Sequence, residues 1–138
     1  MSEENKALMH RWFEEVWNNG RVSAIDELFA EDGLAYGLAD EQGGAIRGPL
    51  EFKTFHAKFR GAFPDINVSV EDILAEGDKL AARISVRGTH VGNDLGVAAS
   101  QATVDFTGMV MVRIKDGKIV EAWNNIDFLT MNQQIGIK

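Results

Sequence analysis

An aspartate held among aromatic side chains can act as a general acid or base, and Asp127 stands in such a setting. It closes the stretch VDFTGMVMVRIKDGKIVEAWNNID, residues 104–127. Two β-rich runs flank Asp116-Gly117, a dipeptide that accepts positive φ at both turn positions and so marks a tight hairpin. Strict pairing from that turn sets Ile114 opposite Ile119, Val112 opposite Glu121, Val110 opposite Trp123, Gly108 opposite Asn125 and Phe106 opposite Asp127. Opposed residues share a face. One face is then expected to carry Phe106, Val110, Trp123, Asn125 and Asp127, an apolar wall with a few convergent polar groups, as a ligand pocket has. Desolvation there would raise the Asp127 carboxyl pKa towards the range useful for taking a proton from carbon beside a carbonyl. The enolate needs a hydrogen-bond donor, which Asn125, Asn124, Tyr36 or His90 could supply. Alternatively, Asp127 ends its strand in water and caps the next turn.

Other chemistries lack their residues. The three histidines, His10, His56 and His90, form no metal-ligand spacing, and there is no cysteine, so neither a metal nor another cofactor is expected. His56 falls on a phenylalanine stripe, as a core or pocket residue. His90 continues the apolar side of its strand just before a glycine-rich loop and is a second candidate acid or base. No GxSxG is present, and Gly43-Gly44 lacks the Lys-Ser or Lys-Thr of a phosphate loop.

The elements that must position these groups follow from spacing. A helix is expected over 2–18, with Leu8, Trp12, Phe13, Val16 and Trp17 as its apolar stripe and Gly20 as its stop. A short second helix covers 23–29, where Ser23 and Asp26 resemble a capping box. Residues 34–38 read as a short strand containing Tyr36, and 40–44 as a polar turn. Pro49 opens a third helix that carries Phe52, Phe55, His56, Phe59 and Phe63 and stops at Pro64. Strands follow over 66–74 and 80–91, then a Gly/Ala loop over 92–103, the hairpin, and a last turn in which Leu129 packs back. Helices followed by an antiparallel meander make an α+β domain: a curved, mostly antiparallel sheet wrapped round the helices as a cone, open at one end. Trp12, Trp17, Tyr36, Phe59, Phe106, Trp123 and Asn125 are the expected pocket walls. Met109, Met111, Ala122 and Ile126 form an apolar outer face suited to a second copy of the chain.

At 138 residues, 45% of them hydrophobic, the chain is one domain over 1–138 with material for a core. The net charge of −7 disfavours nucleic acid and anionic membranes. The start MSEENK has no basic-then-apolar leader pattern, so the cytoplasm is the expected compartment.

Three stretches in this order, RWFEEVWNNGRVSAIDELF, GPLEFKTFHAKFRGAFPDINVSVEDILAEGDKLAARISVRGTHVG and FTGMVMVRIKDGKIVEAWNNID, resemble the SnoaL-like polyketide cyclases of the NTF2-like superfamily across nearly the whole chain. The resemblance implies the cone-shaped α+β barrel and a homodimer or homotetramer built through the sheet. It implies cofactor-free intramolecular aldol chemistry on a hydrophobic carbonyl compound, with a pocket aspartate as acid and base. Asp127 best matches that aspartate, and His90 matches the family's Gly-Thr-His. Many relatives carry Asp directly after the tryptophan, where this chain has Asn124. Relatives also carry Asp-His near the place of Tyr36-Gly37, and proline in the loop that reads GVAAS here. Isomerase or hydrolase chemistry on a small apolar molecule, and non-catalytic binding of a ligand or a partner protein, are the competing readings.

Overall fold

The computed structural model describes residues 2–38 and 44–136. The turn expected at 40–44 lies, but for Gly44, outside them. The first helix, α1 (Ser2–Arg11), runs directly into a π-helical segment, Trp12–Asn18, which Gly20 ends with φ of 66°. Then come α2 (Ser23–Leu28), β1 (Phe29–Tyr36), β2 (Ile46–Arg47) and α3 (Gly48–Ala62), with Pro49 in its first turn. The sheet continues through β3 (Asn67–Glu76), β4 (Lys79–Thr89), β5 (Thr103–Lys115) and β6 (Lys118–Ile126), and α4 (Phe128–Ile135) ends the described chain.

The six strands lie in the order β2-β1-β6-β5-β4-β3. β3 to β6 form the expected antiparallel meander, while β1 joins β6 in parallel. That pairing joins segments some ninety residues apart (Tyr36 with Trp123), so no local turn signal announces it. The sheet is open, with β2 and β3 as its edges, and the helices cover its concave side. The α+β architecture is as expected, an open cone rather than a closed barrel. The expected capping box at Ser23 does not form, because Val22 holds the N-cap position and no side chain caps it. In α4, Met131 and Ile135 turn inward and Leu129 is 69% exposed, contrary to its expected packing.

One feature of β6 reorders the site. The Asp116-Gly117 turn forms with φ of 52° and 74°, and Ile114 pairs with Ile119. The next pair is Arg113 with Glu121, so Val120 is an extra residue, a β-bulge. Every pair beyond it slips by one: Met111 faces Trp123, Val110 faces Asn124, Met109 faces Asn125 and Gly108 faces Ile126. A one-residue slip moves each side chain to the opposite face. The strict register would have sent the Glu121 carboxylate into the core without a partner, a costly burial. The bulge puts it outside, with its Oε1 3.1 Å from Arg113 Nε, and turns Ala122, Asn124 and Ile126 inward instead.

Candidate functional site: an apolar cavity with one carboxamide

The concave side of the sheet and the helices enclose a cavity of about 80 Å³. The π-helical segment contributes Trp12, Phe13 and Trp17, and α3 contributes Phe52, Phe55 and Phe59. The sheet supplies Phe106, Val110, Val112, Ala122, Asn124 and Ile126. Most of this lining is buried, but Leu38, Phe55, Asn124, Ile126 and Phe128 are only partly covered and form the rim. An engineered cavity of about 150 Å³ takes a benzene ring, so a larger guest has to displace the rim side chains.

Asn124 is the one side chain with an amide, carboxyl or imidazole group among the described lining residues. Its Nδ2 donates to the Tyr36 carbonyl oxygen at 2.9 Å. A carbonyl only accepts, which fixes the amide orientation. One N–H is thereby spent, and Oδ1 and the second N–H are left for a guest. The neighbouring turn is tight: Gly37 has φ of 86°, and a Cβ there would collide with the Asn124 carbonyl oxygen.

Trp12, Trp17, Phe59 and Phe106 stand on the cavity wall as the spacing suggested. Tyr36, Trp123, Asn125 and Asp127 do not, and the Val120 bulge is the reason for Trp123 and Asn125. Trp123 lies on the convex face, where it stacks on Tyr36 with ring centroids 6.2 Å apart and planes at 22°. Asn125 is exposed beside Met109. Asp127 is the N-cap of α4: its carboxylate accepts from Thr130 N at 3.0 Å and from Thr130 Oγ1 at 2.6 Å. It is exposed, and those hydrogen bonds hold its pKa below the ordinary aspartate value, so the expected rise in a closed cavity is corrected to a fall in water.

His90 is fully buried but is absent from the cavity wall. Its Nδ1 accepts the Ser100 N–H at 3.1 Å and lies 2.9 Å from Ser100 Oγ, which leaves the proton on Nε2. The ring ties down the end of the loop at 92–102 and packs on Phe63 at 5.7 Å. His56 Nε2 donates to the Val16 carbonyl at 2.7 Å, and burial lowers its pKa, so it is neutral at pH 7. Among the described residues no cluster of three or more metal-ligating side chains exists.

Val110 lines the cavity as the hairpin face suggested, whereas sequence reasoning offered Asn124 only as a donor and missed Ala122, Ile126, Phe52, Phe55, Leu38 and Phe128 as lining. The available signal was Glu121, which no apolar wall tolerates and which therefore demands a bulge.

Comparison with known proteins bears on this arrangement. The family model described as SnoaL-like polyketide cyclase matches residues 7–135. The chain belongs to the SnoaL-like polyketide cyclase family. Among its relatives is DauD of Streptomyces sp. (strain C5), an aklanonic acid methyl ester cyclase, 29% identical over 88% of this chain and 76% of its own length. The crystal structure of IdmH from Streptomyces antibioticus superposes with a TM-score of 0.81 at 29% identity, covering 96% of this chain and 98% of that one. TsrD from Streptomyces laurentii shares the fold with a TM-score of 0.85 at 24% identity, over 99% and 97% of the two chains. No helix among the described residues is long and apolar enough to cross a membrane.

The cap assignment has a direct check. Asp127→Asn retains a capping oxygen and is expected to leave stability nearly unchanged. Asp127→Ala is expected to lower the melting temperature. Because the folded-state pKa is depressed, the stabilisation is complete above the unfolded value of 3.8 and disappears as pH falls through the folded one. The gap between Asp127→Ala and the parent should therefore close in acid. A gap that stays constant down to pH 2 would refute the cap assignment.

Proposed function

We propose that this cyclase-family chain holds a compact hydrophobic carbonyl compound in the cone and hydrogen-bonds its oxygen at Asn124, without a cofactor. The observation that carries the reading is the single carboxamide, oriented by the Tyr36 carbonyl, in an otherwise apolar wall. A relative named as a methyl ester cyclase supports a carbonyl-bearing guest. The described wall has no aspartate, glutamate or histidine to take a proton, which favours retention of the ligand over turnover by acid–base chemistry.

The test uses 2-tetralone, a bicyclic ketone with exchangeable hydrogens beside its carbonyl. Binding is expected to quench Trp12 and Trp17 fluorescence and raise the melting temperature at millimolar probe. Deuterium uptake by the bound ketone in D₂O then separates the readings. Uptake no faster than in buffer marks a holder, and faster uptake marks enolisation in the pocket. Absence of quenching and of thermal stabilisation would sink the ligand reading. A native mass spectrum of the purified protein identifies any molecule that travels with it.

The convex sheet face forms the second part of the proposal, as a contact between copies of the chain. The bulge replaces Ala122 and Ile126 in the expected interface by Trp123 and Asn125, beside Met109 and Met111, which are 51% and 45% exposed, and the parallel strand β1 adds Tyr36 against Trp123. Sedimentation at micromolar concentration is expected to find a dimer or tetramer, and Met111→Glu is expected to yield monomer, since it would bury a carboxylate at the contact. A monomeric parent would overturn this.

A further inference from the structure

Trp12 and Trp17 are five residues apart. On an α-helix five residues turn through roughly 140° beyond a full circle, so the two indoles would point to different sides. A π-helix closes its hydrogen-bonded ring between residues five apart, which brings such a pair onto one face. Both indoles touch the same ring of α3: Phe52 lies 5.0 Å from Trp12 and 6.1 Å from Trp17, centroid to centroid.

The hydrogen bonds show how the chain reaches that winding. Asn19 N donates to Glu14 O at 2.8 Å rather than to Glu15 O, and Arg21 N donates to Glu15 O at 2.8 Å rather than to Trp17 O. The Trp17 carbonyl thus loses the donor an α-helix would give it, and a buried carbonyl left alone is costly. Arg60 Nη1 supplies the missing donor at 3.0 Å, and His56 Nε2 serves the neighbouring Val16 carbonyl at 2.7 Å. His56 and Arg60 are four apart on α3 and so face the segment together. The Arg60 guanidinium lies over Gly20, where a Cβ would come within 2.7 Å of it. Asn18 fixes the end of the segment to the free edge of β3, through Val68 N and O at 2.6 and 3.0 Å.

We propose that His56 and Arg60 are positioning residues for the cavity: their side-chain donors hold Trp12–Asn18 in its π-helical winding, and that winding puts Trp12 and Trp17 on the wall together. Without the two donors, an α-helical winding satisfies the carbonyls better and swings Trp17 away from Phe52. The effect on the ligand rests on the function proposed above; the winding itself does not.

The test compares His56→Leu, His56→Gln, Arg60→Met and Glu15→Gln by amide hydrogen exchange, near-ultraviolet circular dichroism and 2-tetralone titration. His56→Leu and Arg60→Met are expected to lose about tenfold protection at the Asn19 and Arg21 amides, the scale of one buried hydrogen bond. The tryptophan dichroism should change with it, and 2-tetralone should bind about tenfold more weakly. His56→Gln, which keeps an N–H donor, should restore all three readouts. Glu15→Gln tests the rival anchor, the exposed network in which Glu15 and Glu27 bridge Arg11 and Arg21 at 2.6 to 2.9 Å. Unchanged exchange and dichroism in both donor-free variants, or a loss produced by Glu15→Gln instead, would overturn the proposal. If His56→Leu does not fold, Arg60→Met, on a partly exposed residue, decides it. If the parent does not bind 2-tetralone, exchange and dichroism still decide it.

Discussion

Phe52→Ala is expected to remove about 3–5 kcal/mol of stability, the cost of emptying a buried phenylalanine site. Phe52 is 2% exposed and lies at the centre of the aromatic cluster, with Phe29 at 5.3 Å and Phe55 at 5.9 Å besides the two tryptophans. No single helix can collapse into the gap, because those rings arrive from the π-helical segment, β1 and α3 together. For a chain of this size the loss corresponds to a fall of roughly 10–20 °C in melting temperature. The new hole is continuous with the existing cavity, which Phe52 lines. An apolar probe should therefore refill it, and 2-tetralone should stabilise Phe52→Ala more than the parent, by the linkage of binding to folding. Urea titration showing a loss below about 1 kcal/mol would mean that the aromatic cluster is not the centre of this core.

Much of this was legible because it depends on neighbours in sequence. Asp116-Gly117 states its turn locally, and Pro49 followed by the phenylalanine stripe states α3 with its buried face. The parallel entry of β1 was not legible, since Tyr36 meets Trp123 only after the meander exists. The site failed at β6 and its end. Alternation carried from the turn without interruption assigns Trp123, Asn125 and Asp127 to the pocket; Val120 cancels the first two at once, and Asp127 has already left the strand to cap α4. The clue lay in the sequence itself, because uninterrupted alternation from Ile119 sends the Glu121 carboxylate to the core face without a partner. The π-helical winding left a similar trace. Trp12 and Trp17 share one apolar stripe only if the helix is wider than an α-helix.

Asn124→Asp is expected to turn this pocket into one with a base, at a cost in stability that depends on pH. The carboxylate would sit where the amide nitrogen now donates to the Tyr36 carbonyl, so that two acceptors face each other at about the 2.9 Å of the present bond. Protonation relieves that clash, and the apolar surroundings also disfavour the charge, so the folded-state pKa is raised. A raised carboxyl pKa means that the stability is kept below the unfolded value of about 3.9 and lost as pH rises through the folded one. At pH 7 the loss is expected to be about 1–3 kcal/mol, the cost of an unsatisfied polar group in a partly buried site. The same group, poised towards neutral pH, can accept a proton from carbon beside a bound carbonyl. Deuterium uptake by 2-tetralone in the variant should then exceed that in the parent by roughly 100-fold or more, the scale of general-base catalysis. Asn124→Leu separates the two effects, since it removes the hydrogen bond to Tyr36 without adding a base and should show the destabilisation without the uptake. A variant Asn124→Asp whose stability tracks the parent from pH 4 to 8, with no gain in uptake, would mean that the side chain at 124 turns away from the guest, and the proposed contact would fall with it.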